Sequence, residues 1–183
     1  GYIDDPLRGL RQINRSDTVG GRLATRWTPS GGFSLDGGVL YQNIRSADGN
    51  YIYVDAPDLT RASLVAQPFG NRYVLGYLTA KLNRPGSTLV STTSFAKEMI
   101  ETPHDATDYG DPAAPITHPT PRIFRRNEDI SLVSHETRLI GTDPAQPWLV
   151  GISVVYGVGA TERARGNPTG PMPLAHLRNQ TIE

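Results

Sequence analysis

The stretch Thr18-Val19-Gly20-Gly21-Arg22-Leu23-Ala24-Thr25-Arg26-Trp27 decides the fold. Its side chains alternate, with Val19, Gly21, Leu23, Thr25 and Trp27 on one side and Gly20, Arg22, Ala24 and Arg26 on the other. A period of two belongs to a β-strand, whose successive side chains point to opposite faces of a sheet. Wound as a helix, the same residues would carry Arg22 and Arg26 onto the side of Val19 and Leu23. Pro29-Ser30-Gly31-Gly32 combines a fixed φ with permissive ones and predicts a tight turn. Phe33, Leu35, Gly37, Val39 and Tyr41 then alternate with Ser34, Asp36, Gly38, Leu40 and Gln42. The two runs predict a hairpin.

Working outward, two more hairpins follow. Residues 72–83 alternate, Arg84-Pro85-Gly86-Ser87 turns the chain, and a serine- and threonine-rich run over 88–97 returns it. Residues 129–140 place Val133, His135, Thr137 and Leu139 against Ser134, Glu136 and Arg138. After a turn at 141–147, Trp148, Val150, Ile152, Val154 and Tyr156 alternate with Leu149, Gly151, Ser153, Val155 and Gly157. The end of the chain, 176–183, reads as the start of a seventh strand, and no window carries a helical period. Short turns therefore alternate with long irregular segments at about 45–71, 98–128 and 158–175, each beyond the roughly 12–15 residues usual for a loop in a compact domain. Transmembrane β-barrels have this asymmetry, with short turns on one side of the membrane and long loops on the other. Strands of about 10–12 residues match the roughly 9–11 that cross a bilayer at a tilt. Trp27, Phe33, Tyr41, Trp148 and Tyr156 fall at the predicted strand ends on the apolar side, as aromatic girdles do. The expectation is an all-β, antiparallel up-and-down meander: a fragment of a transmembrane β-barrel, seen alone as an open curved sheet of about six to seven strands. A soluble all-β ligand-binding module and a small porin-like barrel are the alternatives; the latter needs at least eight strands.

Composition excludes several classes. The 183 residues carry 18 basic and 18 acidic side chains, so no net charge draws the chain to nucleic acid. There is no cysteine, which removes disulfides, thiolate catalysis and cysteine-based metal sites. The 19 glycines and 15 prolines stay below the roughly 25–30% of a low-complexity chain. The longest apolar stretch, Trp148 to Ala160, is too short for a membrane-spanning helix of about 20 residues. The opening residues do not read as a secretory leader. Gly1 at the start and an unfinished strand at the end suggest a piece of a longer protein, with 1–183 as one partial barrel domain.

Gly1-Tyr2-Ile3-Asp4-Asp5, then Asn14-Arg15, then Gly20-Gly21-Arg22-Leu23-Ala24-Thr25-Arg26-Trp27-Thr28-Pro29, resembles the early barrel of TonB-dependent outer-membrane receptors. Val133-Ser134-His135-Glu136-Thr137-Arg138-Leu139, followed by Pro147-Trp148-Leu149-Val150-Gly151 and Tyr156, is similar to a recurrent hairpin of those barrels, with His135 where glutamine is usual. Leu89 to Phe95 looks like the family's threonine- and serine-rich strand. The resemblance implies a barrel of about 22 strands around an N-terminal plug. It also implies energised uptake of a scarce nutrient (siderophore, cobalamin, saccharide or similar) across a bacterial outer membrane. Implied partners are outer-membrane lipid, the protein's own plug and remaining strands, TonB through the full-length receptor, and the small-molecule ligand. No segment here resembles the plug or the TonB contact.

The candidate site residues divide between face and loops. Arg22, Arg26, Glu136 and Arg138 lie on the polar face, where a barrel lumen would offer them to plug or substrate, or where they pair with neighbouring strands. Tyr51, Tyr53 and Tyr109 lie in long loops and could stack on a ligand ring; Phe69 is a fourth aromatic of this kind. His104, Asp105, Asp108, Asp111 and His118 lack the spacing of a calcium loop or a helical zinc site, so no metal is expected. Ser131, Ser134 and His135 sit near Glu136 on one strand whose adjacent residues point to opposite faces, so they cannot form a triad among themselves. No phosphate loop, dinucleotide fingerprint or nucleophile elbow occurs, so neither cofactor nor catalysis is expected.

Overall fold

In the computed structural model, which describes residues 1–54, 56, 58–111, 114–170 and 172–182, the chain is all-β with no helix among those residues. The strands are β1 (Ser16–Ser30), β2 (Phe33–Ser46), β3 (Phe69–Arg84), β4 (Ser87–Asp105), β5 (Gly110–Asp111), β6 (Ala114–Pro115), β7 (Ile123–Gly141), β8 (Leu149–Gly166) and β9 (Leu174–Ile182). Seven of them form one antiparallel sheet in the order β1-β2-β3-β4-β7-β8-β9, while β5 and β6 form a two-residue ladder inside a loop. The sheet is an open up-and-down meander, as the alternation predicts, and among the described residues β1 and β9 each pair on one side only. The turn at Pro85-Gly86 shows why the sequence reverses there: proline presets the first corner, and Gly86 takes φ +78°, which a side chain disfavours.

The strands run further than their alternation. β4 and β7 each have 19 residues and β8 has 18, against the 10–12 expected. Most of the extra length lies at one end, so the long connections shrink to 47–68, 106–122 and 167–173. The third predicted long loop is therefore corrected to a short one, because 158–166 continues β8. Connections at the other end are 31–32, 85–86 and 142–148. Residues 1–15 lie at the long-loop end, because Ser16 pairs with Ser46.

Register settles the faces, since directly paired residues of antiparallel strands share a side. One row runs Leu23-Val39-Gly76-Phe95-Val133-Tyr156, and the row four residues nearer the turns runs Trp27-Leu35-Ala80-Ser91-Thr137-Ile152. This face is apolar over its turn-side half and uncovered: Leu23 is 74% and Ile152 73% exposed. Nearer the loops the same face turns charged, in the row Asp17-Arg45-Gly70-Glu101-Asn127-Glu162-His176. Aromatics border the apolar band, with Trp27, Phe33 and Trp148 at the turn side and Tyr41, Phe95 and Tyr156 at the loop side. Trp27 and Phe33 meet edge to face at 6.3 Å. The Trp148 indole lies against Gly141, where a Cβ would come within 2.3 Å of it. Tyr41 and Tyr156 thus mark the end of the apolar band but not of their strands, contrary to the expectation, because both strands continue past it.

Polar residues within the band satisfy one another. Thr93 Oγ1 lies 2.8 Å from His135 Nδ1, His135 Nε2 lies 3.1 Å from Thr137 Oγ1, and that oxygen lies 3.1 Å from Ser91 Oγ. Mutual hydrogen bonding lowers the cost of polar groups on a surface that leaves water. The opposite face is mostly polar, tied by cross-strand pairs such as Ser94–Ser134 at 2.7 Å and Thr79–Thr92 at 3.1 Å.

Candidate functional site

Buried side chains are concentrated at the long-loop end, away from the middle of the sheet. Ile3, Ile13, Val65, Ile123 and Ala164 are buried there, with Asp5, Asn14, Ser46, Asp48, Arg61, Ser63 and Gln67. The N-terminal segment and the β2–β3 loop form a cap held by backbone bonds. Asp5 exchanges bonds with Leu10, Ile13 donates to the Ile3 carbonyl, and Arg61 donates to the Asp4 carbonyl. Asn14 Oδ1 accepts from the amides of Tyr2 at 2.7 Å and Ile3 at 2.9 Å.

Two carboxylates and two guanidiniums balance at the centre of this cap. Asp5 accepts from Arg8 Nε at 2.7 Å and from the Ser63 hydroxyl at 3.0 Å. Asp48 accepts from Arg8 at 2.5 Å, from the Gly49 and Gln67 amides at 2.8 and 2.9 Å, and from Arg61. Arg61 is 0% exposed, with its guanidinium 4.9 Å from the Tyr51 ring centroid. Burial alone would push the Asp48 carboxyl up, but the donors from Arg8, the two amides and Arg61 outweigh it and hold it below the usual carboxylate range.

Of the three loop tyrosines, Tyr51 and Tyr53 lie in this cap and Tyr109 in the connection after β4, and they do different things. Tyr51 donates its hydroxyl to Gln67 Oε1 at 2.6 Å and meets Tyr53 edge to face at 6.2 Å. Tyr53 is exposed. Tyr109 is a tie: its hydroxyl donates to Asp105 at 2.7 Å and accepts from the Leu64 amide at 2.9 Å. Burial and the neighbouring Asp105 push the Tyr109 phenol up to about 12. Asp105 also accepts from the amides of Leu64, Val65 and Thr107, so it fastens the β2–β3 loop to β4. Desolvation would raise its carboxyl, but these donors hold it low. Asp108 caps its own turn by accepting from Gly110, and His104 stacks on Phe124 at 6.4 Å. His118 is exposed. Among the described residues no group of three possible metal ligands converges; the side chain of Asp111 lies outside them.

Arg22, Arg26, Glu136 and Arg138 all lie on the polar face, but not together. Arg26 and Glu136 share the row Arg26-Asp36-Thr79-Thr92-Glu136-Ser153 and stand four strands apart, about 19 Å at the usual spacing. Arg26 Nε donates to Asp36 at 2.5 Å, whereas Arg138 grips Glu136 two residues away through bonds of 2.5 and 2.7 Å. Arg22 stands opposite Leu40, in a row otherwise of Leu40, Leu75, Ala96, Leu132 and Gly157. Ser134 and Glu136 are on this face and Ser131 and His135 on the other, so these four do not converge.

No family model, curated protein or solved structure matches this chain. Its functional surface is therefore defined by its own geometry. Chemically, that surface offers a rigid, charge-balanced cap with half-exposed aromatic rings, standing at one end of a polar sheet face. Sequence reasoning missed Asp5, Arg8, Asp48, Arg61 and Gln67. Only Asp5 and Arg8, three residues apart beside Asn14, carried a local sign of structure in a stretch without strand periodicity.

Proposed function

We propose that the chain is part of the barrel of an outer-membrane TonB-dependent receptor that takes up a scarce nutrient, siderophore, cobalamin, saccharide or similar. The observation that carries this reading is the division of one sheet face into an uncovered apolar band with aromatics along both borders and a charged extension beyond it. Lipid is the surrounding that such a band suits: the about 25 Å apolar belt of outer-membrane barrels has aromatic girdles at both interfaces. A soluble sandwich would cover Leu23, Val150 and Ile152 with a second sheet, and among the described residues none does. In this reading the opposite face lines the lumen, where Arg22, Arg26, Glu136 and Arg138 meet the plug or the passing ligand. The capped loops face outward and receive that ligand first. Transport is driven by TonB acting on the plug, and this chain contributes wall and mouth.

The two tryptophans, Trp27 and Trp148, make the test direct, because both lie on the apolar face at its turn-side border. The chain is refolded into phosphatidylcholine vesicles with bromine at defined acyl depths. The expected result is quenching of both tryptophans, strongest for bromines near the headgroups. A monodisperse chain in detergent-free buffer, melting cooperatively and untouched by brominated lipid, overturns the proposal.

A further inference from the structure

Beside the cap, on the polar-face side, lies a cavity of about 210 Å³ walled in part by Asn50, Tyr51, Gln67, Phe69, Thr102 and His104. Its floor is set by register: Ser46 pairs with Phe69, and Thr102 and His104 pair with Arg126 and Phe124 on the same face. Gln67 is 3% exposed, and while its Oε1 takes the Tyr51 hydroxyl, its Nε2 has no partner. Turning the amide over moves the orphan to the other end without removing it. Folded proteins rarely leave such a group unpaired without a reason.

The wall is uncharged in effect. Among the described residues it contains no lysine or arginine, and its one carboxylate, Asp48, is saturated by two guanidiniums and two amides. An anionic chelate or carboxylate would lose its hydration there with no cation to replace it. Tyr51 and Phe69 bring aromatic rings to the wall, and Asn50, Gln67, Thr102 and His104 bring polar groups. Rings beside planar polar groups suit a ligand with apolar C–H faces and a rim of hydroxyls. The volume lies below the roughly 300–1,000 Å³ of pockets for drug-sized ligands, so it holds a single ring. We propose that this cavity binds one ring of a neutral saccharide, with the Gln67 amide turning its unpaired end to a sugar hydroxyl when the ring is bound. This deepens the uptake reading and rests on it for the fate of the sugar, though binding itself is measured independently.

The whole chain, folded in a zwitterionic detergent without a sugar headgroup, is titrated with methyl glucoside, methyl galactoside and methyl xyloside, followed by saturation-transfer NMR. 2,3-Dihydroxybenzoate serves as the anionic arm. At least one glycoside should bind saturably, and Gln67→Met and Thr102→Val, which preserve side-chain volume, should each weaken it about fivefold or more. Val54→Ser, at a fully exposed position, should leave it unchanged. Saturable binding of dihydroxybenzoate alone, no saturable glycoside binding, or glycoside binding indifferent to both wall substitutions overturns the inference. Vesicle insertion is scored separately by tryptophan quenching. A chain that inserts but binds no glycoside sinks this inference alone, and one that binds glycoside without inserting sinks the uptake reading alone.

Discussion

Replacing Ile152 with arginine separates a lipid-facing sheet from a water-facing one by free energy. Ile152 lies on β8 four residues from Trp148 and four from Tyr156, on the apolar face. At about 3.3 Å per residue that is about 13 Å of strand in each direction, or about 10 Å of depth at a tilt near 40°. The side chain therefore sits near the middle of the band. Arginine at the midplane of a barrel's lipid face costs about 2–4 kcal/mol, falling to about 0–1 at the interfaces. In water the same change at a side chain 73% exposed costs within about 0.5 kcal/mol. Asn127→Arg, on the same face but beyond the band, is the control and should cost nothing measurable. The assay is urea unfolding from phosphatidylcholine vesicles, with free energies taken from midpoint and slope. Val150→Arg, nearer the Trp148 border, should fall between the two. Costs at 152 and 127 that agree within about 0.5 kcal/mol would refute the placement of this face in lipid.

Other outcomes follow from the cap and the turns. Asp48→Ala leaves Arg61 buried with its principal counter-charge gone, so the cap should lose about 3–5 kcal/mol, read as faster proteolysis within 47–68 while strand ultraviolet signals persist. Because the folded Asp48 and Asp105 carboxyls lie below their ordinary values, their contribution is complete above the unfolded pKa and is lost as pH falls through the folded one. The cap should thus stay closed at neutral pH and turn protease-sensitive only below about pH 4, the ordinary carboxylate value. Gly141→Ala should displace the Trp148 indole, changing near-ultraviolet dichroism and weakening its quenching by brominated lipid. Arg26→Gln, which breaks an exposed pair, should leave the urea midpoint unmoved.

The apolar half of the sheet was legible because its information is local. In 18–27 and 33–42 the difference between the two faces appears as polarity that alternates along the strand. The same strands became unreadable where both faces turn polar, as in Lys97-Glu98-Met99-Ile100-Glu101, although β4 keeps its ladder to β7 through all of them. Hydrogen-bonded pairing needs no contrast between faces, and pattern reading does. The cap was hidden for another reason. Arg8 meets Asp48 across 40 positions and Asp5 meets Ser63 across 58, so no window of sequence holds both partners. Tyr109 was visible as a loop aromatic, but its work as a tie depends on Asp105 at the end of a strand whose length could not be read.

The sheet outlasts its apolar band by a wide margin. From Phe95 to Asp105, β4 continues for ten residues, and from Tyr156 to Gly166 β8 does the same. At about 3.3 Å per residue this is roughly 33 Å of strand, or about 25 Å of height at a tilt near 40°. In the proposed barrel this extension would stand like a chimney wall above the headgroups, its rim well clear of the lipid surface. In the proposed barrel, whatever arrives from outside would first meet Tyr53, exposed on a cap whose balanced charges are buried. A label on Tyr53 would then be reachable from the medium in an intact cell, and one on Trp148 would not.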